Sequence, residues 1–231
     1  MKILSIETSG KICGIAILEN KKVLKEITLD NGLKHSETLL PLIQNTFAEL
    51  KLKINDINLI VCDKGPGSFT GIRIGVATAK AFSDALNIKA IGISSLEALC
   101  YNVEKPSFIC SLIDAKNENC YWSIFENTGE SYAIRKEFDI NNIDEILNNV
   151  KTLNLEDKIT FTGDGAFNYK NIISKKMPKS DFLNKEISPA KLALCGLNHF
   201  YTKEADTEIL PMYLRKSQAE IIMEEKQNAK R

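Results

Sequence analysis

The sequence lacks any bias of charge. Its 231 residues carry 30 Lys plus Arg against 30 Asp plus Glu, so the formal net charge is zero. Binding nucleic acid unaided needs a concentrated basic surface, and a neutral chain gives no argument for one. A partner that brings the charge remains compatible. Histidine is nearly missing, with only His35 and His199. A metal pair of the HxxxH kind starting at His35 needs a second histidine at position 39, which is Leu39. A lone histidine at a helix start reads as a capping or core residue, and His199, beside Phe200 and Tyr201, as a structural one. No Ser–His–Asp or Cys–His spacing is recognisable. The six cysteines (13, 62, 100, 110, 120 and 195) include no CxxC pair, and most fall in apolar runs. They read as reduced core residues of a cytoplasmic protein. The opening "MKILSIETSG" turns polar by Glu7, which fits neither a signal peptide nor a membrane span.

What is present is a core. Hydrophobic residues make up 44% of the chain, enough for one large domain or two small ones. Residues 2–28 read as a three-strand antiparallel meander, "KILSIET", "CGIAILE" and "KKVLKEITL". Leu39, Leu40, Ile43, Phe47 and Leu50 give a helical stripe over 36–51, with Pro41 marking a late start or a kink. The buried strand "INLIVC" follows, then a helix over 70–86 ended by Asn87, the strand "KAIGIS" and a short helix "SLEALCYNV". After "EKPS" at 104–107 the order begins again. "FICSLIDA", "CYWSIFEN" and "ESYAIRKEFD" read as a second meander, followed by a helix over about 141–150 and the strand "KITFTGDG". A helix over 188–203 has Ser188 as N-cap and Pro189 at its first position. The pattern suggests a duplicated α/β unit: a first lobe over 1–103, a smaller second lobe over 104–215 and a charged tail over 216–231.

Between "INLIVC" and the helix over 70–86 lies "DKGPGSFTGIRIG" (63–75), with four glycines. A glycine loop from strand to helix presents backbone N–H groups at a positive helix end, a ready anion site. Gly65, Gly67, Ser68, Thr70, Gly71 and Arg73 are its candidate residues, with Ser68 and Thr70 equally able to cap the helix. Two familiar phosphate loops are excluded. A P-loop needs Gly-Lys-Ser/Thr where Gly71 is followed by Ile72 and Arg73. A dinucleotide loop needs glycine where Thr70 stands. The alternative is a tight turn that lets the helix pack closely. That helix is apolar nearly all round: Ile72, Val76, Ala79, Phe82 and Leu86 on one stripe, Ile74, Thr78, Ala81 and Ala85 on another. Such a helix is buried on more than one side, within its own fold or against another chain. Glu7, Asp63, Asp114 and Asp164 stand near strand ends and can face one cleft, or simply cap turns.

Several runs together resemble the TsaB family, also called YeaZ: "ILSIETS", "KHSETLLPLI", "GPGSFTGIRIGVATAKAF", "IGISSLEAL" and "IDAKNENCYWSIF", then "GDG" (163–165) and "LPMYLR" (210–215). The match is dense to about residue 125 and patchy beyond. The resemblance implies a two-lobed actin-like/Hsp70-like ATPase (ASKHA) fold, in line with the duplicated pattern. It implies a catalytically silent subunit in the synthesis of N6-threonylcarbamoyladenosine at adenosine 37 of tRNA. The implied partners are the transferase TsaD, the ATPase TsaE, and a second copy of the chain when it is alone, with tRNA reached through the complex and no membrane. The implied interface falls on the helices over 36–51 and 70–86, at Leu39, Leu40, Ile43, Phe47, Ile74, Thr78, Ala81 and Ala85. Glu7, Thr8 and Ser9 correspond to the phosphate hairpin of the ATPase fold, making Thr8 and Ser9 anion candidates. The resemblance implies no catalytic residue, no metal and no tightly held cofactor, with ATP or ADP at the partner interface. Two rival readings are a nucleotide-dependent ATPase or phosphotransferase of the same fold, and a metalloprotease, which needs ligands the sequence does not supply.

Overall fold

The computed structural model describes residues 1–30, 32, 34–155, 159–183, 186–202 and 209–214. The charged tail over 216–231 and Arg215 lie outside them.

The first meander is β1 (Lys2–Glu7), β2 (Cys13–Glu19) and β3 (Lys22–Leu29). β4 (Leu59–Asp63) then pairs with β1 in parallel, and β5 (Lys89–Ile93) with β4. The order is β3-β2-β1-β4-β5. The second sheet repeats it. β6 (Ser107–Asp114), β7 (Asn119–Asn127) and β8 (Tyr132–Asn142) form the antiparallel part, β9 (Ile159–Thr162) and β10 (Asp181–Phe182) the parallel part, in the order β8-β7-β6-β9-β10. The duplication expected from the sequence is therefore present as topology.

Helices form where the sequence leaves an apolar face, some with a side-chain cap and some without. α1 (His35–Leu50) buries Leu39, Leu42, Ile43 and Phe47, and Pro41 lies inside it rather than delaying its start. α2 (Phe69–Leu86) starts at Ser68, whose hydroxyl accepts the Gly71 N–H, and stops at Asn87 in a left-handed conformation. Both cover one face of the first sheet. α3 (Ser95–Cys100) lies between the sheets: Ala98 and Leu99 pack on the first, Leu96 and Cys100 on the second. α4 (Ile143–Thr152), α5 (Asp164–Asn168) and α6 (Lys170–Lys176) cover the second sheet. All six cysteines are buried and unpaired.

One boundary differs from expectation. α7 (Pro189–Thr202), placed by the sequence in a second lobe running to 215, packs on the first sheet through Ala190, Leu192, Ala193, Cys195 and Leu197. Ile209 joins the core under α1 and α2, and the Met212 N–H donates to the Lys64 carbonyl at 2.6 Å. The chain thus returns to its first half after β10. Burying Leu192, Leu197 and Ile209 is worth roughly 1.5–3 kcal/mol each, and local sequence pattern carries no sign of which sheet receives them.

Candidate functional site

Between the two sheets runs a cleft of about 440 Å³, lined among others by Glu7, Ser9, Lys11, Asp114, Lys116 and Asp164. Three of the four strand-end carboxylates expected to share a cleft line it; Asp63 lies behind Glu7.

On the first-lobe side the glycine loop is pressed onto the β1–β2 hairpin. A Cβ at Gly67 would collide with the Ser9 carbonyl, one at Gly71 with the Thr8 carbonyl, and one at Gly75 would reach the Thr8 hydroxyl at 2.5 Å. Glycine is required because two backbones meet with no room between them. The hydrogen bonds join the same two pieces. The Ser68 N–H donates to the Ser9 carbonyl at 2.6 Å, and the Thr8 hydroxyl to the Gly71 carbonyl at 2.7 Å. From α1, His35 Nε2 lies 3.0 Å from the Gly10 carbonyl, a structural role for a buried histidine. Gly65 has a φ of 100°, and its N–H donates to Asp63.

This packing reassigns most of the anion candidates. Thr8, Gly67, Ser68 and Gly71 hold the loop to the hairpin, and Thr70 sits exposed in the first turn of α2. Arg73 does not reach over the loop. Its guanidinium lies 3.9 Å from the Phe69 ring centre, and its Nε donates to the Tyr213 hydroxyl at 2.9 Å. Phe69 and Tyr213 stack at 4.6 Å, so the "LPMYLR" segment holds this cation.

Beneath the loop lies a buried carboxyl pair. Glu7 and Asp63 are each 1% exposed. The Ser9 hydroxyl lies 2.7 Å from Glu7 Oε1 and 3.1 Å from Asp63 Oδ2, and the Ser9 N–H donates to Glu7. Asp63 also accepts from Gly65 N–H and the Ser95 hydroxyl. Burial, then the neighbouring Asp63 charge, push Glu7 well above the ordinary glutamate range. Burial raises Asp63 as well, though the donors around it oppose that.

The second-lobe side is open and charged. Burial pushes Asp114 up, but hydrogen bonds from Lys116 and Tyr169 outweigh it and hold it below its ordinary value. Lys116 Nζ lies 2.9 Å from Asp114 Oδ2. Asp164 accepts the Asp114 N–H at 2.9 Å, and burial raises it.

The interface candidates also separate. Leu39, Ile43 and Phe47 are 1%, 4% and 7% exposed, enclosed in the chain's own core, so they have no surface to offer a partner. Leu40 is 54% exposed. Ala81 and Ala85 are exposed and Ile74 and Thr78 half-buried, and Leu40, Pro41 and Ala77 are exposed on the same two helices. Pro41 and Ala77 were not among the interface residues expected from the sequence.

The family model described as "TsaD: tRNA N6-adenosine threonylcarbamoyltransferase" matches residues 23–223. A tRNA threonylcarbamoyladenosine biosynthesis protein TsaB from Buchnera aphidicola (Schizaphis graminum) is 30% identical over 185 residues, 78% of this chain and 87% of that one. The chain belongs to the TsaD-type family, in its TsaB (YeaZ) group. Its fold matches YeaZ from Pseudomonas aeruginosa with a TM-score of 0.74 at 19% identity, covering 92% of this chain and 99% of the other. The ROK hexokinase from Thermus thermophilus matches at 0.51 and 11% identity over 88% of this chain and 100% of that one. The two-lobed actin-like architecture expected from the sequence is the one present. No helix among the described residues is long and apolar enough to cross a membrane.

Proposed function

We propose that the chain works in tRNA threonylcarbamoyladenosine biosynthesis as the assembly subunit that binds and activates the TsaD transferase, without catalysing a step by itself. Its TsaB relatives carry that pathway in their names. The observation that carries the finer reading is a contrast within the first lobe. The loop that resembles an anion site is tied to its own hairpin by the Ser68 N–H and the Gly71 carbonyl, whereas α1 and α2 leave Leu40, Ala81 and Ala85 exposed. Small side chains there allow close helix approach.

In this reading TsaD covers that face, and a second copy covers it when the chain is alone. TsaE joins the pair, and tRNA is reached through the complex, as a neutral chain favours. In this reading nucleotide is held weakly by this chain, with ATP or ADP at the partner interface.

The direct test combines tRNA, threonine, bicarbonate, ATP and the other subunits, with and without this protein, and counts threonylcarbamoyladenosine by mass spectrometry. Product collapses on omission if the reading holds; unchanged product refutes it. A phosphotransferase is the second reading, favoured by Lys11 and Lys116 in the cleft. It requires turnover of Mg-ATP by the purified chain alone.

A further inference from the structure

Cys195 and His199 stand four residues apart in α7, on one face of the helix and one turn from each other. Facing them from α3 is Glu97, which is 102 residues distant from His199 in sequence. His199 Nε2 lies 2.6 Å from Glu97 Oε1. The ligating atoms of the three side chains all lie within 4.8 Å of one another. Cys195 is wholly buried, whereas the side chains of Glu97 and His199 are each 18% exposed, so the group opens to solvent on one side.

We propose that Glu97, Cys195 and His199 form a binding site for a borderline-soft divalent metal ion, with zinc as the type. One thiolate, one imidazole and one carboxylate make a donor set suited to zinc or cobalt and poorly suited to magnesium or calcium. In tetrahedral zinc, bonds of about 2.0–2.1 Å to nitrogen and oxygen put those atoms about 3.4 Å apart. The His199–Glu97 pair therefore separates by less than about 1 Å to admit the ion, and water fills the fourth position.

Binding converts the Cys195 thiol to thiolate and releases its proton to solvent. The site also has a mechanical place in the fold. α7 packs on the first sheet, and α3 packs on both. Tyr101, just after α3, hydrogen-bonds Cys195 and stacks on Tyr132 of β8 at 4.1 Å. An ion here ties together the helices at the junction of the lobes. The site is remote in sequence from His35 and independent of the role proposed above.

The test uses the full chain, stripped with a chelator and titrated anaerobically with Co²⁺ and then Zn²⁺. One equivalent of Co²⁺ should give intense tetrahedral d–d bands and a near-ultraviolet thiolate charge-transfer band, both abolished by Zn²⁺. Cys195→Ser should lose the charge-transfer band. Glu97→Gln and His199→Gln, which change partly exposed positions, should keep the fold by circular dichroism and weaken Co²⁺ binding about tenfold or more. The proposal is overturned if wild type shows no thiolate band, if Cys195→Ser retains it, or if both Glu97→Gln and His199→Gln bind Co²⁺ as wild type does.

Discussion

The two lobes place an acid at the same point and use it differently. Glu7 ends β1 and Asp114 ends β6, each the first strand of its meander. Glu7 is buried at the cleft floor beneath the glycine loop, beside Asp63, and its carboxyl is pushed well above the ordinary glutamate range. Asp114 faces the cleft, paired with Lys116, and is charged. Equal topology thus supports opposite electrostatics. What separates them is the packing above: in the first lobe a loop lies backbone to backbone on the hairpin, and in the second the turn after Asp114 is left in solvent.

The contact that seals the first lobe gives the largest expected effect. Gly71→Ala should destabilise the chain by about 3 kcal/mol or more, because the new methyl meets the Thr8 carbonyl. Gly10→Ala, whose nearest neighbour is 4.0 Å away, should cost much less. Urea unfolding measures both; equal losses would break the account of the loop.

The next effect separates the two faces of α1. Phe47→Asp should leave no folded protein, since it buries an unpaired charge in the core. Leu40→Asp should keep the melting temperature and weaken association by about 2 kcal/mol, or roughly thirtyfold, in sedimentation.

Titration sharpens the comparison of the acids. Glu7 has its folded pKa raised, so the folded state holds more protons than the unfolded one above pH 4.5, the ordinary glutamate value. Stability should therefore fall as pH rises through that window. Glu7→Gln, which keeps a donor toward Asp63 without the charge, should flatten the fall in melting temperature between pH 5 and 8; an unchanged slope would assign it elsewhere. Asp114, with its pKa lowered, contributes with the opposite sign, losing stability only in acid. The smallest effect is Lys116→Ala, at most about 0.5 kcal/mol, because that side chain is 78% exposed.

Most elements were legible because their signals are local. The meander, the Ser68 and Ser188 caps and the apolar stripe of α1 are all written within a few residues. What escaped is long-range. Nothing in the pattern of α7 tells which sheet it covers. Glu97 meets Cys195 and His199 only after folding. A helical stripe also reads the same whether it faces the chain's own sheet or a partner, which is why Leu39, Ile43 and Phe47 were grouped with Leu40. The glycines were legible as a tight loop, but not the hairpin they press on.

The most direct test of the division between a sealed loop and a working helix face is the reconstituted modification reaction run with Leu40→Asp. The account predicts a correctly folded protein that neither co-sediments with TsaD nor restores threonylcarbamoyladenosine formation. Full product with normal co-sedimentation would contradict it and move the working surface away from α1 and α2.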